Sequence, residues 1–304
     1  MSKVTFEELL DAGCHFGHLR RKWNPAMAQY IFMEKNGIHI LDLNKTLVKL
    51  DEACAAAKQI SKSGRKILFV ATKKQAKETI AELAKSVNMP YVTERWPGGM
   101  LTNFFTIRKA VKKMSDIDKL MDSAQFNNLA KREKLQIQRE RAKLEKNLGS
   151  ISDLTRLPAA IFIVDILKEH IAVAEARRLN ITTFAIVDTN SNPNLIDFPV
   201  PANDDASKSI TVIVKAICDA IEEGAAERKL DREMQDDEAG NDMADMNIDV
   251  DVDEEQPAKV IVADVKGVKK VKDVASDEEK TLKRKRIPTK KTPVKTTGKA
   301  PAKK

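Results

Sequence analysis

The sequence predicts a doubly wound α/β domain, a mostly parallel sheet covered by helices on both faces. Short apolar runs rich in β-branched residues, at 66–71 (KILFVA), 160–164 and 182–187, read as buried strands. Helical patterns separate them, as parallel strands require. The 80 residues after Gly224 hold no Phe, Trp or Tyr, and 37 of them are charged. Such a segment buries too little apolar surface to offset its ordering entropy, so the core must come from residues 1–224.

The elements follow in order. Tyr30–Met33 and Ile38–Leu41 bracket Glu34-Lys35-Asn36-Gly37, which predicts a short hairpin turning on Asn-Gly. A helix from about Asn44 to Ser61 carries Leu47, Leu50, Cys54 and Ala57 or Lys58 on one face, and Gly64 stops it. After the strand at 66–71, Lys73–Ser86 reads as helix and Tyr91–Glu94 as a short strand. Lys168–Leu179 has helical spacing between the strands at 160–164 and 182–187. Ala206–Glu223 closes the domain, with Ile210, Val214, Ile217 and Ile221 on one stripe.

Residues 105–150 interrupt this alternation. They contain no strand pattern and one glycine, Gly149. Ala110, Met114, Ile117 and Met121 recur at helical spacing; Ile137 and Leu144, with Ala130 and Leu148, form a second stripe. Residues near Asp122–Asn128 supply a turn. A narrow apolar seam on two long polar helices predicts a protruding antiparallel coiled-coil hairpin. It holds 12 Lys/Arg against 6 Asp/Glu, within a 1–224 segment holding 34 against 27, so nearly all the basic excess sits on the hairpin. A surface so charged favours an anionic partner, although a merely solvated helix face is the competing explanation. The expected organisation is a discontinuous core domain (1–104 and 151–224), the hairpin (105–150) and a disordered tail (225–304).

Other classes fall away. The longest apolar run, Ala159–Val164, is far too short to span a bilayer, so no membrane association is expected. MSKVTFEELL lacks the apolar centre of an export signal. Cys14, Cys54 and Cys218 share no zinc or disulfide spacing, and read as small buried residues in a reduced, cytoplasmic protein.

An α/β sheet invites an enzyme reading, and ligands in such sheets sit beyond the carboxyl ends of the strands. The turn FVATKKQAK lacks the glycines that let a backbone approach a pyrophosphate, and the chain has no Gly-rich loop ending in Lys-Ser/Thr. Nothing points to a small-molecule substrate, a required cofactor or a catalytic residue. Asp165 and Asp188 follow strands directly, and Asp204-Asp205 precede the last helix. With His18 they are able to hold a structural divalent cation; capping and turn chemistry is the bland alternative.

The positive pattern lies in two loops. Arg20-Arg21-Lys22-Trp23-Asn24 sets three cations beside an indole, and Arg95-Trp96-Pro97-Gly98-Gly99 repeats the mixture at the mouth of the hairpin. Cations grip phosphates, an indole stacks on a base or packs in a core, and glycine permits close approach. Lys73 and Lys74 add charge at a helix start.

GCHFGHLRRKWNPAMAQYIF (13–32), FVATKKQA (69–76), RWPGGMLTNFFTI (95–107), FIVD (162–165), IVDTNSNP (186–193) and PANDDASKSI (201–210) together resemble the family of the second protein of the bacterial small ribosomal subunit. The resemblance covers residues 1–224. It implies a flavodoxin-like domain with a projecting coiled-coil hairpin, binding small-subunit rRNA and neighbouring ribosomal proteins. These include the large OB-repeat protein that assists mRNA binding. Carried over by position, the rRNA-contact residues are Arg20, Arg21, Lys22, Trp23, Asn24, Lys73, Lys74, Arg95, Trp96, Asn103 and Arg108; the cationic hairpin adds Lys112 and Lys113. Two departures stand out: Ala159 follows Pro158 where the family pattern has an acid, and Ala71 stands where it has glycine.

The motifs leave the tail uncovered. Asp231–Glu255 carries twelve acids and one Arg, whereas Lys280–Lys304 carries eleven Lys/Arg and no acid. Such blocks suggest an acidic shield over a basic arm, or a plain solubilising tail.

Overall fold

The computed structural model describes residues 4–245. In chain order its elements are α1 (Phe6–Asp11), β1 (Phe16–Leu19), β2 (Ile31–Lys35), β3 (Ile38–Leu41), α2 (Leu43–Lys62), β4 (Ile67–Val70), α3 (Lys74–Ser86), β5 (Tyr91–Val92), α4 (Phe104–Met121), α5 (Ala124–Asn127), α6 (Lys131–Leu148), β6 (Ala160–Val164), α7 (His170–Arg178), β7 (Thr182–Val187), β8 (Phe198–Pro201) and α8 (Ser207–Asp245). Two short 3-10 turns, Arg20–Lys22 and Pro25–Tyr30, join β1 to β2.

The main sheet has the order β5-β4-β6-β7-β8, and every pairing is parallel. Renumbered along this sheet alone, the order is 2-1-3-4-5, that of a flavodoxin-like doubly wound fold, with its switch point between β4 and β6. Alternation within β4 divides the core. Ile67 and Phe69 face α2, α3 and α8, packing with Leu50, Ile80, Ile210, Val214 and Ile217. Leu68 and Val70 face the other way, towards Met27, Tyr30, Trp96, Leu101, Leu148, Ala172 and Val173. Both faces are thus covered, as predicted.

A second sheet, of order β1-β3-β2, is antiparallel. Its β2–β3 hairpin turns on Asn36 (φ 53°) and Gly37 (φ 74°), two consecutive left-handed residues of the kind that match strand twist. β1 and β8 lack a clear sequence pattern. β8 reads FPVP, and its prolines are tolerated because it is an edge strand.

The last helix corrects the sequence expectation. It does not stop near Glu223 but runs to Asp245. Gly224 is an interior helix residue that lets α8 approach α2: a Cβ there would lie 2.4 Å from the Lys58 carbonyl oxygen. Beyond it, Lys58 pairs with Glu227 (2.7 Å) and Lys62 with Asp231 (3.1 Å), so charged residues read as tail extend a packed helix. The expected disorder therefore does not begin at 225. The rest of the acidic block and all of the basic block lie outside the described residues.

Between β5 and β6, α4 and α6 pack against each other, each 18 residues long. Ile117 and Leu148 are buried, while Ala130 is exposed and caps the start of α6 instead of joining the seam. Arg141 Nε reaches Asp118 at 2.8 Å, and Lys113 pairs with Glu140. Among the described residues no helix is long and apolar enough to cross a membrane. Cys14, Cys54 and Cys218 are free and buried, and burial pushes the Cys54 and Cys218 thiols up to about 12.

Candidate nucleic-acid interface

The first cationic loop leaves β1 and is pinned by one residue. Thr189, just after β7, accepts the His18 amide N–H on Oγ1 and the Asn24 amide N–H on its carbonyl oxygen, both at 2.8 Å. Gly17 makes this possible, since a Cβ there would lie 2.5 Å from Thr189 Cγ2. Asn24 Oδ1 accepts the Ala26 amide N–H and so starts the following turn. Its side chain is used locally. Arg21 and Lys22 are exposed, and Arg20 is 71% exposed and 3.4 Å from Glu34. Trp23 is 37% exposed and lies against the His39 ring, with centroids 5.3 Å apart. This loop holds cations and an indole outward on a fixed backbone.

The second loop, between β5 and α4, is built differently. Arg95 is exposed, but Trp96 is only 6% exposed and packs in the core. This corrects the reading of Trp96 as a surface contact: its indole donates inward to Glu175 at 3.2 Å. Glu175 also accepts the amide N–H groups of Gly99, Leu101 and Thr102 (2.7, 2.9 and 3.1 Å) and the Thr102 hydroxyl. Burial pushes this carboxyl up, but those donors outweigh it and hold it below the usual range. Asn103, exposed, precedes α4 and accepts the Thr106 hydroxyl at 2.8 Å. Arg108 reaches back to the Thr155 carbonyl oxygen at 3.0 Å; Lys112 is exposed, and Lys113 faces Glu140.

Lys73 is the other correction. It follows β4 at the switch point, where its ammonium lies 3.1 Å from Asp165, 2.8 Å from Asp204 and 2.8 Å from Asp205. With its side chain 12% exposed and spent on three carboxylates, it is not available to an external phosphate. Burial pulls its pKa down, but the aspartates more than offset this and raise it. Its neighbour Lys74 is exposed.

The acids resolve into separate jobs. Asp165 (φ 69°) accepts the amide N–H groups of Leu167 and Lys168, ordinary turn chemistry. Asp188, buried, binds His18 Nδ1 at 2.9 Å, and that bond leads the effects raising the His18 pKa. Asp205 is exposed and held below the usual range by Lys73. Asp204 is wholly buried, and burial together with the Asp188 charge pushes it up to about 7. One ligand atom each from His18, Asp188 and Asp204 lies within 4.8 Å of the others.

Sequence reasoning missed Thr189 and Glu175. Thr189 carries no pattern of its own. Glu175 left a trace, a carboxylate on the helix stripe that buries Ala172, Val173 and Ala176.

At the switch point, then, the chain's own ion pairs occupy the crevice where doubly wound folds bind ligands, while exposed cations stand on the 20–22 loop and along the helix pair. That combination defines a presenting scaffold. The chain belongs to the ribosomal protein S2 family, whose model, described as "Ribosomal protein S2", matches residues 9–224. Its relatives include "Small ribosomal subunit protein uS2" of Phocaeicola vulgatus, 69% identical over 76% of this chain and 83% of the relative. The proteins of the same name from Bacteroides thetaiotaomicron and Porphyromonas gingivalis are each 67% identical over 76% of this chain, and over 84% and 83% of their own lengths. A member of this family is a structural component of the translation machinery and not an enzyme.

Proposed function

We propose that this chain binds small-subunit rRNA through two cationic surfaces carried on one face of its sheet, and so acts as a cytoplasmic, ribosome-bound constituent of the small subunit. The observation that supports this reading is their shared seat. The 20–24 loop runs into Met27 and Tyr30, the root of the helix pair begins at Trp96 and Leu101, and all four side chains pack in the same cluster.

The interface residues in this reading are Arg20, Arg21, Lys22, Trp23, Lys74, Arg95, Asn103, Arg108, Lys112 and Lys113, with Asn24 shaping the loop. Residues 105–150 act as a coiled-coil arm of a core formed by 1–104 and 151–224. Contact with other small-subunit proteins, including the large OB-repeat mRNA-binding protein, rests on the family resemblance. The role needs no cofactor.

Sedimentation of lysate at low and high salt tests it. Co-migration with small subunits, lost as salt rises, is the expected result. Persistent presence in the free fraction at low salt overturns it.

A further inference from the structure

Helix α4 turns its two leading phenylalanines opposite ways. Phe104 packs against the core cluster beside Ile107 and Val111, whereas Phe105 is 70% exposed. A single exposed phenylalanine is ordinary on a protein surface, but the surroundings of this one are cationic. Lys109, one turn further on, holds its ammonium 4.4 Å from the centroid of the Phe105 ring. Lys112 follows on the same face, and both lysines are exposed. Among the described residues no ion pair involves Lys109 or Lys112, unlike Lys113, which faces Glu140.

From this we infer that Phe105 is a stacking platform for one unpaired base of the rRNA, with Lys109 and Lys112 on the neighbouring phosphates. This rests on the rRNA-binding reading and adds to it an uncharged contact on the helix pair. A phenyl ring offers its π face to any base, and an unpaired base is free to splay out onto it. Lys109 lies over the ring, so a nucleotide stacked there would bring its phosphate towards a cation already in place. A hydrophobic protein partner fits less well, since burying the ring would also strip water from two unpaired ammonium groups. Nucleic acid supplies the base and the phosphates together.

The platform is positioned before RNA arrives. Glu175 fixes the 96–102 loop from which α4 departs. One turn past Phe105, Arg108 donates to the Thr155 carbonyl oxygen at 3.0 Å and ties the same end of α4 to the segment before β6. A phenyl ring has only two side-chain torsions to fix, so little freedom is lost when a base settles on it.

The test is filter binding of the full-length protein to purified small-subunit rRNA at several salt concentrations. F105A and F105L should each weaken binding about five- to 150-fold, the range spanned by loss of one base–aromatic stack. Their salt slope should stay as in wild type, because no phosphate contact is removed. F105Y keeps the π face and should bind as wild type does. Alanine at Lys109 and Lys112 should instead lower the slope, by about 0.7 per contact on a single strand. In F105W, indole emission should fall further on adding rRNA than wild-type emission does. Phe105 is exposed, so every variant should fold, which circular dichroism checks. Undiminished rRNA binding in F105L, or weakened binding in F105Y, would overturn the inference. Unchanged rRNA affinity with poorer co-sedimentation with small subunits would assign the ring to a protein partner and overturn it equally. Wild type that binds no rRNA would defeat the proposed function and this inference together; wild type that binds while F105A and F105L bind equally well would defeat this inference alone.

Discussion

The indole of Trp96 donates its Nε1–H to the carboxylate of Glu175 at 3.2 Å. It is one of five donors from the 96–102 loop that converge on this side chain. One buried carboxylate on α7 therefore fixes the root from which α4 departs.

Replacing Glu175 with glutamine should destabilise the protein by about 2 kcal/mol, because an amide offers one acceptor oxygen and turns two hydrogens toward the remaining donors. Melting should fall by roughly 4–8 °C. The pH dependence has a definite sign. The folded carboxyl is held below its ordinary 4.5, so its contribution is present above that value and lost as pH falls through the folded pKa. Melting curves of wild type and E175Q should therefore converge on acidification below about pH 4.5; constant separation would refute the assignment.

Charge removal should separate contact from structure. Alanine at Arg20, Arg21 and Lys22 together should lower the salt slope of RNA binding by roughly two to three, at about 0.7–0.9 per phosphate contact. Trp96→Phe should leave that slope unchanged while lowering the melting temperature. Filter binding at several salt concentrations distinguishes the two; a slope change in W96F would return Trp96 to the interface.

Gly224→Ala reverses the usual sign. An alanine in a helix interior normally gains about 1 kcal/mol over glycine. Here the new methyl group would meet the Lys58 carbonyl oxygen at 2.4 Å, so α2 and α8 must part, with a net loss of about 1–3 kcal/mol. Urea unfolding of the variant reports this directly, and a gain in stability would show that the two helices yield freely.

Amides at Asp122–Asn128 should exchange fast in the free protein. The helix pair buries a narrow seam there, and the connection holds only the four-residue α5. Strands β4, β6 and β7, nearly all of whose residues are buried, should exchange slowest. Strong protection at the turn without a partner would contradict this.

The sequence by itself determined the class of fold and the place of its charge. Periodicity sufficed for β6 and β7, whose bounds match to the residue, because a fully buried strand must be apolar throughout. It sufficed for the turn at Asn36-Gly37, where only certain residues accept a left-handed backbone. The cationic loop at Arg20–Asn24 was also legible, since solvent-exposed charge requires no partner to be recognised. Only the tertiary structure decided which charges are free. Lys73 and Lys74 are adjacent and chemically alike, yet one is spent on three aspartates from distant segments and the other faces solvent. Trp23 and Trp96 sit in similar loops, yet a glutamate 79 positions away draws one indole inward. Long-range pairing leaves no spacing in the chain; it exists only once strands and helices have brought those residues together.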